Sequence, residues 1–576
     1  MLDSRTTLVL GRMPPGATPA THRAAGPWCF AEQEDLFPGW ETDYTFAPEP
    51  FADRALQARA CAEAKALCVR TLPAIADTLC PHSRNLPAAY WETLLVPWVL
   101  AVARQIVERW WRIRAIVNVW GEESLHVLLL PQDCTFSFAR SQDVILHGAL
   151  GHDWNHWLFS RLLESVLPPA WSTAYLPAIH RTYGSPLPLH GRPLLRAWLR
   201  ALLLRLPFPP LKGMRIGQSL RYSLALLHRS RGADKATPLA AYAAAASDAA
   251  PPLPLDTLPI FLASLPRDLA NLRHPMALRS NPLGPRLRVA TVLAYEDAAY
   301  RQNLAIWRGR GNRLMYVQHG GNYGQVRTAC DMELVEYSQH VFGTWGWTHH
   351  GTCHGNFVPV PYPQLAAEHA QAARQTCQEG NSSDLLVIGT EMAAFPYRLE
   401  SLPTPLQIMR YRKDKARFFA ALPASIQSHA VYRPYFSVPG TLRDGPWLQE
   451  RFSWLRLAEG PLAPHLARSR LLVLDHNGTS LLEAMAVNRP VVAFWQREHW
   501  PLTEEAEALL TVLATAGIWQ PTPLQAAAKV AAVWDHPMDW WMCDDVQKAR
   551  KAYCARQAML ADGGPDAVWI QLLQDM

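Results

Sequence analysis

The stretch LLVLDHNGTSLLEAMAVNRPVVAFW, Leu471–Trp495, decides the fold class. An apolar run ends in the polar turn DHNGTS, a segment with helical spacing follows, and a proline precedes a second apolar run. Strands that alternate with helices in this way form parallel sheets built from βαβ units. The runs LRVATVLA, RLMYVQHGG, DLLVIGTEMAAF and HAVYRPY continue the alternation upstream. We therefore predict an α/β protein with two groups of parallel strands, divided near residues 355–383.

The turn after LLVLD has the composition of an anion site. Unpaired N–H groups at a helix start, with the positive end of the helix dipole, attract phosphate. Gly478 lets backbone come close to a ligand, and Thr479 and Ser480 add hydroxyl donors. Ser480 and Glu483 have capping-box spacing, so Thr479 or Ser480 is predicted to cap the helix. A plain capped helix is the alternative interpretation. The predicted phosphate-binding residues here are Asp475, His476, Gly478, Thr479, Ser480 and Glu483.

A second glycine turn, YVQHGGNYG, covers residues 316–324. Gln318 and His319 are placed at the carboxyl edge of a strand, and Gly320 and Gly321 allow tight backbone geometry. Ligands of open α/β sheets bind at that edge. Histidine is suited to proton transfer or to a phosphate hydrogen bond near neutral pH. His319 is therefore a candidate catalytic residue, although a lone histidine is more often structural.

Three further positions carry weaker signals. Glu333 and Glu336 follow on a helical stretch and are suited to orienting a sugar hydroxyl or acting as a base, although a solvated helix face is an equal alternative. Arg433 ends a strand and is predicted to clamp a phosphate or carboxylate. The cluster HHGTCHG, residues 349–355, matches no standard metal spacing, so no metal site is predicted.

Composition limits the function classes. The 576 residues favour two or three domains, and the net charge of +6 allows an anionic partner. Nucleic-acid binding is not expected, because the chain has no dense Lys/Arg block. The start resembles no signal peptide and no apolar run approaches twenty residues, which favours a cytoplasmic protein. A basic amphipathic pattern over Arg192–Arg205 suggests either peripheral contact with an inner membrane or an ordinary surface helix.

The chain resembles a family of bacterial transferases from surface-carbohydrate gene clusters. The resemblance lies in YVQHGGNYG, EYSQHVFGTWGW, FPYRLESLP, GPWCF, YWETLLVPW and, above all, DHNGTSLLEAMAVNRPVVAFW. Asn477 departs from the pattern, which has proline there. The resemblance implies a glycosyltransferase-B-like fold of two facing Rossmann-like domains with a helical N-terminal elaboration. It places an acceptor-side domain in residues 1–360 and a nucleotide-donor domain in residues 361–576.

The resemblance also implies a function. The protein would transfer a sugar from a nucleotide-sugar donor to a glycan or lipid-linked acceptor, with His319 and Glu333 catalytic and with neither cofactor nor metal. The donor phosphate would lie on Gly478, Thr479 and Ser480, with Arg433 as clamp. A polyol-phosphate transferase or a nucleotide-sugar epimerase would use the same turns. A non-catalytic carbohydrate-assembly protein is the alternative from another class.

Overall fold

The computed structural model describes residues 6–184, 199–200, 202–226, 236–242, 253–279, 286–367, 383–435, 438–460, 462–561 and 564–576. The strands within these ranges lie in parallel sheets, and helices connect them. The predicted α/β class is confirmed. The predicted amphipathic segment Arg192–Arg205 falls largely outside the described residues.

The N-terminal part has a parallel sheet of its own, in the order β2-β1-β3-β5, and a separate parallel pair, β4-β6. The strands are β1 (Thr6–Val9), β2 (His22–Ala24), β3 (Leu125–Leu129), β4 (Thr135–Phe138), β5 (Ser172–Tyr175) and β6 (His180–Tyr183). The α-helices of this part are α1 (Trp40–Asp43), α2 (Arg54–Leu79), α3 (Ala88–Trp120), α4 (Ser141–Asp143) and α5 (His152–Glu164). A π-helical turn covers Val144–Ala149.

The long helices α2 and α3 pack on each other and fill the N-terminal core. Asp53 begins α2, because its carboxylate accepts hydrogen bonds from the N–H groups of Ala55 and Leu56. The charged side chains of Glu108 and Arg109 are buried within α3 and pair with each other. Among the described helices, none combines the length and apolar character needed to cross a membrane.

A second four-stranded parallel sheet occupies the middle of the chain, in the order β10-β9-β8-β7. Its strands are β7 (Leu287–Ala290), β8 (Arg313–Val317), β9 (Val341–Thr344) and β10 (Phe357–Pro359). The helices in this stretch of the chain are α6 (Ile216–Ala225), α7 (Leu258–Ala263), α8 (Arg267–Ala270), α9 (Leu293–Glu296) and α10 (Ala298–Gly309), with a π-helical turn at Met332–Tyr337. Of these, α7 and α8 pack against the N-terminal core. Residues 1–360, predicted as one domain, thus contain two separate larger sheets.

The C-terminal sheet has six parallel strands in the order β13-β12-β11-β14-β15-β16. They are β11 (Asp384–Ile388), β12 (Ala430–Arg433), β13 (Arg456–Leu457), β14 (Ser469–Leu474), β15 (Val491–Phe494) and β16 (Trp519–Gln520). The helices are α11 (Pro405–Ala420), α12 (Ala424–Gln427), α13 (Asp444–Arg451), α14 (Leu462–Arg468), α15 (Thr479–Ala486), α16 (Glu504–Thr515), α17 (Pro523–Val533), α18 (Pro537–Trp541), α19 (Asp544–Gln557) and α20 (Pro565–Asp575).

The middle and C-terminal sheets share one apolar core. Val289 and Val317 of the middle sheet belong to the same buried cluster as Leu472 and Leu474 of β14. The last helix, α20, returns to the middle sheet, where Trp569 Nε1 donates to the Pro361 carbonyl at 2.8 Å. This packing holds the edges of the two sheets in a fixed relation.

Candidate functional site

The two glycine turns found in the sequence lie against each other. We call residues 318–321, after β8, the first turn, and residues 475–478, after β14, the second turn. The Gly321 N–H donates to Thr479 Oγ1 at 2.8 Å. A Cβ on Gly321 would lie 2.5 Å from Thr479 N, so only glycine allows this approach. Two strand ends from different sheets therefore form one site.

The second turn ends in a helix start without a side-chain cap. Gly478 is the N-cap of α15 and supplies no side-chain hydrogen bond. The predicted capping by Thr479 or Ser480 is wrong, because the helix begins at Thr479. The predicted capping box does not form either, since Glu483 Oε1 accepts from Gln364 Nε2 at 3.0 Å. Because no side chain caps α15, the positive end of its dipole and its first N–H groups are available to bind a ligand.

The imidazole of His476 leaves no room for a side chain at position 478. A Cβ on Gly478 would lie 2.7 Å from His476 Cδ2, inside van der Waals contact. The side-chain Nδ2 of Asn477 is also buried, and no acceptor for it occurs within the described ranges. The second turn thus buries the Asn477 Nδ2 donor without an acceptor among the described residues. A buried donor without an acceptor is unfavourable unless a ligand accepts from it.

A buried network holds Asp475 in place. Its Oδ1 accepts from the Tyr411 hydroxyl at 2.7 Å, and from Thr390 N at 3.0 Å. His476 Nδ1 lies 2.9 Å from the same oxygen, and Lys415 Nζ lies 3.4 Å from Oδ2. Burial alone would raise the pKa of Asp475, but the Lys415 ammonium and His476 lower it below its usual value. The carboxylate is therefore charged and fixes the imidazole of His476.

His319, in the first turn, is part of a three-residue hydrogen-bond chain. The Tyr323 hydroxyl donates to Glu336 Oε2 at 2.8 Å and lies 2.7 Å from His319 Nε2. Glu336 Oε1 lies 3.3 Å from the same Nε2. Because the tyrosine proton goes to the carboxylate, the tyrosine oxygen accepts from His319 Nε2–H. The other ring nitrogen, Nδ1, is then the basic one, and the side chain is about one-third exposed (31%).

Buried aromatic side chains surround the hydrogen-bond chain of His319, Tyr323 and Glu336. Burial raises the pKa of Tyr323 well above its usual value, and the Glu336 carboxylate adds to the effect. Burial also raises the pKa of Tyr295, with Glu336 again contributing and the Arg398 guanidinium opposing. The two tyrosines consequently stay neutral.

Glu333, predicted to be catalytic, lies elsewhere. Its carboxylate pairs with the buried Lys65 of α2. Glu333 and Glu336 both lie on the π-helical turn Met332–Tyr337, and only Glu336 contacts His319. The placement favours Glu336 over Glu333 as the acidic partner of the site.

The remaining predicted residues occupy the edges of the site. Gln318 is fully buried and braces the first turn, since its Oε1 accepts from Trp345 N at 2.9 Å and its Nε2 donates to the Gly320 carbonyl at 2.9 Å. Arg433 is at the carboxyl end of β12, where its Nη1 donates to the Ala458 carbonyl at 3.1 Å. β11 lies between Arg433 and the second turn.

Sequence reasoning missed Tyr323 and Lys415. The four-residue spacing from His319 to Tyr323 within YVQHGGNYG was an available signal. Lys415 lies in α11, and its ammonium pairs with Asp444 and Asp475. No sequence pattern connects Lys415 to the second turn, which begins sixty residues later.

An open cavity of about 660 Å³ adjoins His319. This volume is within the range of small-molecule sites. Its lining is mainly apolar, and its charged members are the cations Arg200 and Lys212 and the carboxylate of Glu296; it also includes Leu203, Leu211, Leu293 and His319. No group of three or more His, Cys, Asp or Glu residues suited to a metal ion occurs in the described parts of the chain.

Comparison with protein families finds a match over nearly the whole chain. The family model described as LIC12162 family transferase matches residues 6–573. A comparison with curated proteins found no match. The matched region includes both glycine turns and nearly the whole chain.

Proposed function

The chain belongs to the LIC12162 family of transferases, and we propose that it transfers a glycosyl group from a nucleotide-sugar donor to an acceptor in surface-polysaccharide synthesis. One observation carries this proposal. The hydrogen bond from Gly321 N to Thr479 Oγ1 brings a candidate base, His319, to the sheet edge where an uncapped helix starts. Phosphate binding and proton transfer can then occur in one place.

The donor is proposed to bind at the second turn. Its phosphates would accept hydrogen bonds from the first N–H groups of α15 and from the hydroxyls of Thr479 and Ser480. The unused Nδ2 of Asn477 is a further donor. Arg433 lies at the carboxyl end of β12 in the same sheet, and we propose it as the clamp on the phosphate. Together these groups would stabilise the charge that develops on the leaving nucleotide, without requiring a metal ion.

His319 is proposed to act as the general base. In a direct displacement, the acceptor hydroxyl loses its proton to Nδ1 and its oxygen bonds to the anomeric carbon. The bond from that carbon to the phosphate oxygen breaks, and the nucleotide leaves with the electron pair. Tyr323 and Glu336 hold Nε2 and stabilise the imidazolium that forms. We also propose that the middle and C-terminal sheets are the two facing domains of a glycosyltransferase-B-like fold.

The test is release of nucleotide from a panel of UDP-, GDP-, CDP-, CMP- and dTDP-sugars, in the presence of a bacterial membrane extract as the source of glycan and lipid-linked acceptors, with and without EDTA. The proposal expects one sugar nucleotide to be consumed, EDTA to have no effect, and His319→Ala to lower the rate by about a hundredfold or more. Consumption of none, or an equal rate in the variant, would reject it.

A further inference from the structure

Helix α6 (Ile216–Ala225) presents apolar side chains to solvent. Ile216, Leu220 and Leu224 are 54%, 47% and 60% exposed, and their spacing of four residues places them on one face. The opposite, buried face carries Ser219 and Ser223. Tyr222 and Ala225 are also buried, so α6 has apolar side chains on both faces, whereas an ordinary surface helix turns a polar face to solvent.

The orientation of α6 is fixed by its inner face. The hydroxyls of Ser219 and Ser223 both bond to the backbone of Phe208. The Tyr222 hydroxyl donates to Asp566 Oδ1 at 2.6 Å. A rotation of α6 that buried Ile216, Leu220 and Leu224 would break all of these hydrogen bonds. The exposed apolar stripe is therefore a stable property of the fold.

The segment that contains the stripe is basic. Residues 199–226 contain no Asp or Glu and five basic residues: Arg200, Arg205, Lys212, Arg215 and Arg221. All five are exposed, and Arg221 also pairs with Asp566. Leu199 and Leu202 add apolar side chains that are about half exposed. Outward apolar side chains in a segment that has five exposed cations and no acidic residue of its own match the chemistry of an anionic lipid surface.

We propose that the described part of residues 199–226, which we call the docking surface, binds the surface of an anionic lipid bilayer. The apolar stripe enters the boundary between headgroups and acyl chains, and the cations contact lipid phosphates. A protein partner is less favoured, because protein interfaces seldom concentrate charge of one sign around a bare leucine stripe. This docking is independent of the proposed function and requires neither donor nor acceptor.

The docking surface continues into the site. Leu199, Arg200, Leu211 and Lys212 all line the cavity that reaches His319. If the proposed function holds, an acceptor anchored in the bilayer by its lipid would enter through this cavity. Its phosphate would lie near Arg200 and Lys212, and its reacting hydroxyl near His319.

The experiment is cosedimentation of the full chain with vesicles of phosphatidylglycerol and phosphatidylcholine, or of phosphatidylcholine alone. Ile216→Gln, Leu220→Gln and Leu224→Gln are combined in one variant, because glutamine retains helix propensity. Arg200→Gln, Arg205→Gln and Lys212→Gln form a second variant. The control combines Val512→Gln, Leu524→Gln and Met538→Gln, three exposed apolar residues elsewhere in the chain.

The native chain and the control should bind the phosphatidylglycerol vesicles, and each test variant should lose at least about tenfold in partition coefficient. Thermal unfolding of each variant verifies that it is folded. The proposal is overturned if the native chain does not bind, or if the Ile216, Leu220 and Leu224 variant binds as the native chain does. It is also overturned if the control loses as much binding as that variant.

Discussion

The amide of Gly321 donates to the hydroxyl oxygen of Thr479 at 2.8 Å, although the two residues are separated by 158 positions and follow strands of different sheets. The contact fixes the distance between a candidate base and a candidate phosphate site. It also leaves the Thr479 hydroxyl proton free to donate to a ligand, since the oxygen is the acceptor in this bond.

Gly321→Ala should separate the two turns. The added Cβ would lie 2.5 Å from Thr479 N, so one turn must move. A displacement of about 1 Å at a site can lower a rate by about a hundredfold. Gly217→Ala is the control, because its Cβ meets nothing within 4 Å. Nucleotide-sugar turnover is measured for both variants. Equal turnover would show that the reaction does not depend on the Gly321–Thr479 contact.

Glu336→Gln should lower kcat, because the glutamine no longer carries the charge that stabilises protonated His319. A loss of about tenfold or more is expected from the removal of one such interaction. Tyr323→Phe should act in the same direction, since it removes the acceptor of the Nε2 proton.

Glu333→Gln distinguishes the two acids of the π-helical turn. It leaves Lys65 buried without its carboxylate, so the free energy of unfolding should fall while kcat changes little. Steady-state kinetics and urea unfolding of both variants provide the comparison. A larger kcat loss in the Glu333 variant than in the Glu336 variant would restore the original sequence-based assignment.

Lys415→Met should be strongly destabilising. The lysine ammonium is buried between Asp444 and Asp475, and its removal leaves buried negative charge without a partner. Such a loss costs about 3–5 kcal/mol in the free energy of unfolding. The exposed Lys548→Met is a suitable comparison. A change in chemical-denaturation stability no larger than that of the comparison would show that Lys415 does not support the second turn.

Glu391, after β11, should make stability depend on pH. Burial and the neighbouring Asp444 carboxylate raise the pKa of Glu391 to about 7, above the unfolded value of 4.5. The neutral form is favoured in the folded state, so its contribution is fully present below pH 4.5 and is lost as the pH rises through about 7. On going from about pH 5 to about pH 8, which crosses the raised pKa of Glu391, the native chain should lose more stability than Glu391→Gln. Equal losses in urea unfolding would contradict the raised pKa.

The sequence predicted the class of fold and both glycine turns because those signals are local. An apolar run followed by glycine and polar residues marks the end of a parallel strand wherever it occurs. The Gly321–Thr479 contact could not be predicted, since no local pattern shows which sheet edges meet. The wrong capping prediction has a local cause, as Gly478 rather than a hydroxyl residue occupies the N-cap. Helical spacing alone did not separate Glu333 from Glu336; in the π-helical turn that contains both, Glu336 contacts His319 and Glu333 pairs with Lys65.

The most direct test of the central claim is thermal stabilisation by CMP, CDP, UDP, GDP and dTDP, with Thr479→Val and Thr522→Val as variants. Thr522 caps another helix of the same sheet, α17, and controls for the loss of a hydroxyl at a helix start. At a hundred times the dissociation constant, one nucleotide should stabilise the native chain and the Thr522 variant by about 2.7 kcal/mol, and the Thr479 variant by much less. Stabilisation by none of the nucleotides, or equal stabilisation of all three proteins, would contradict the claim that the second turn holds the donor phosphate.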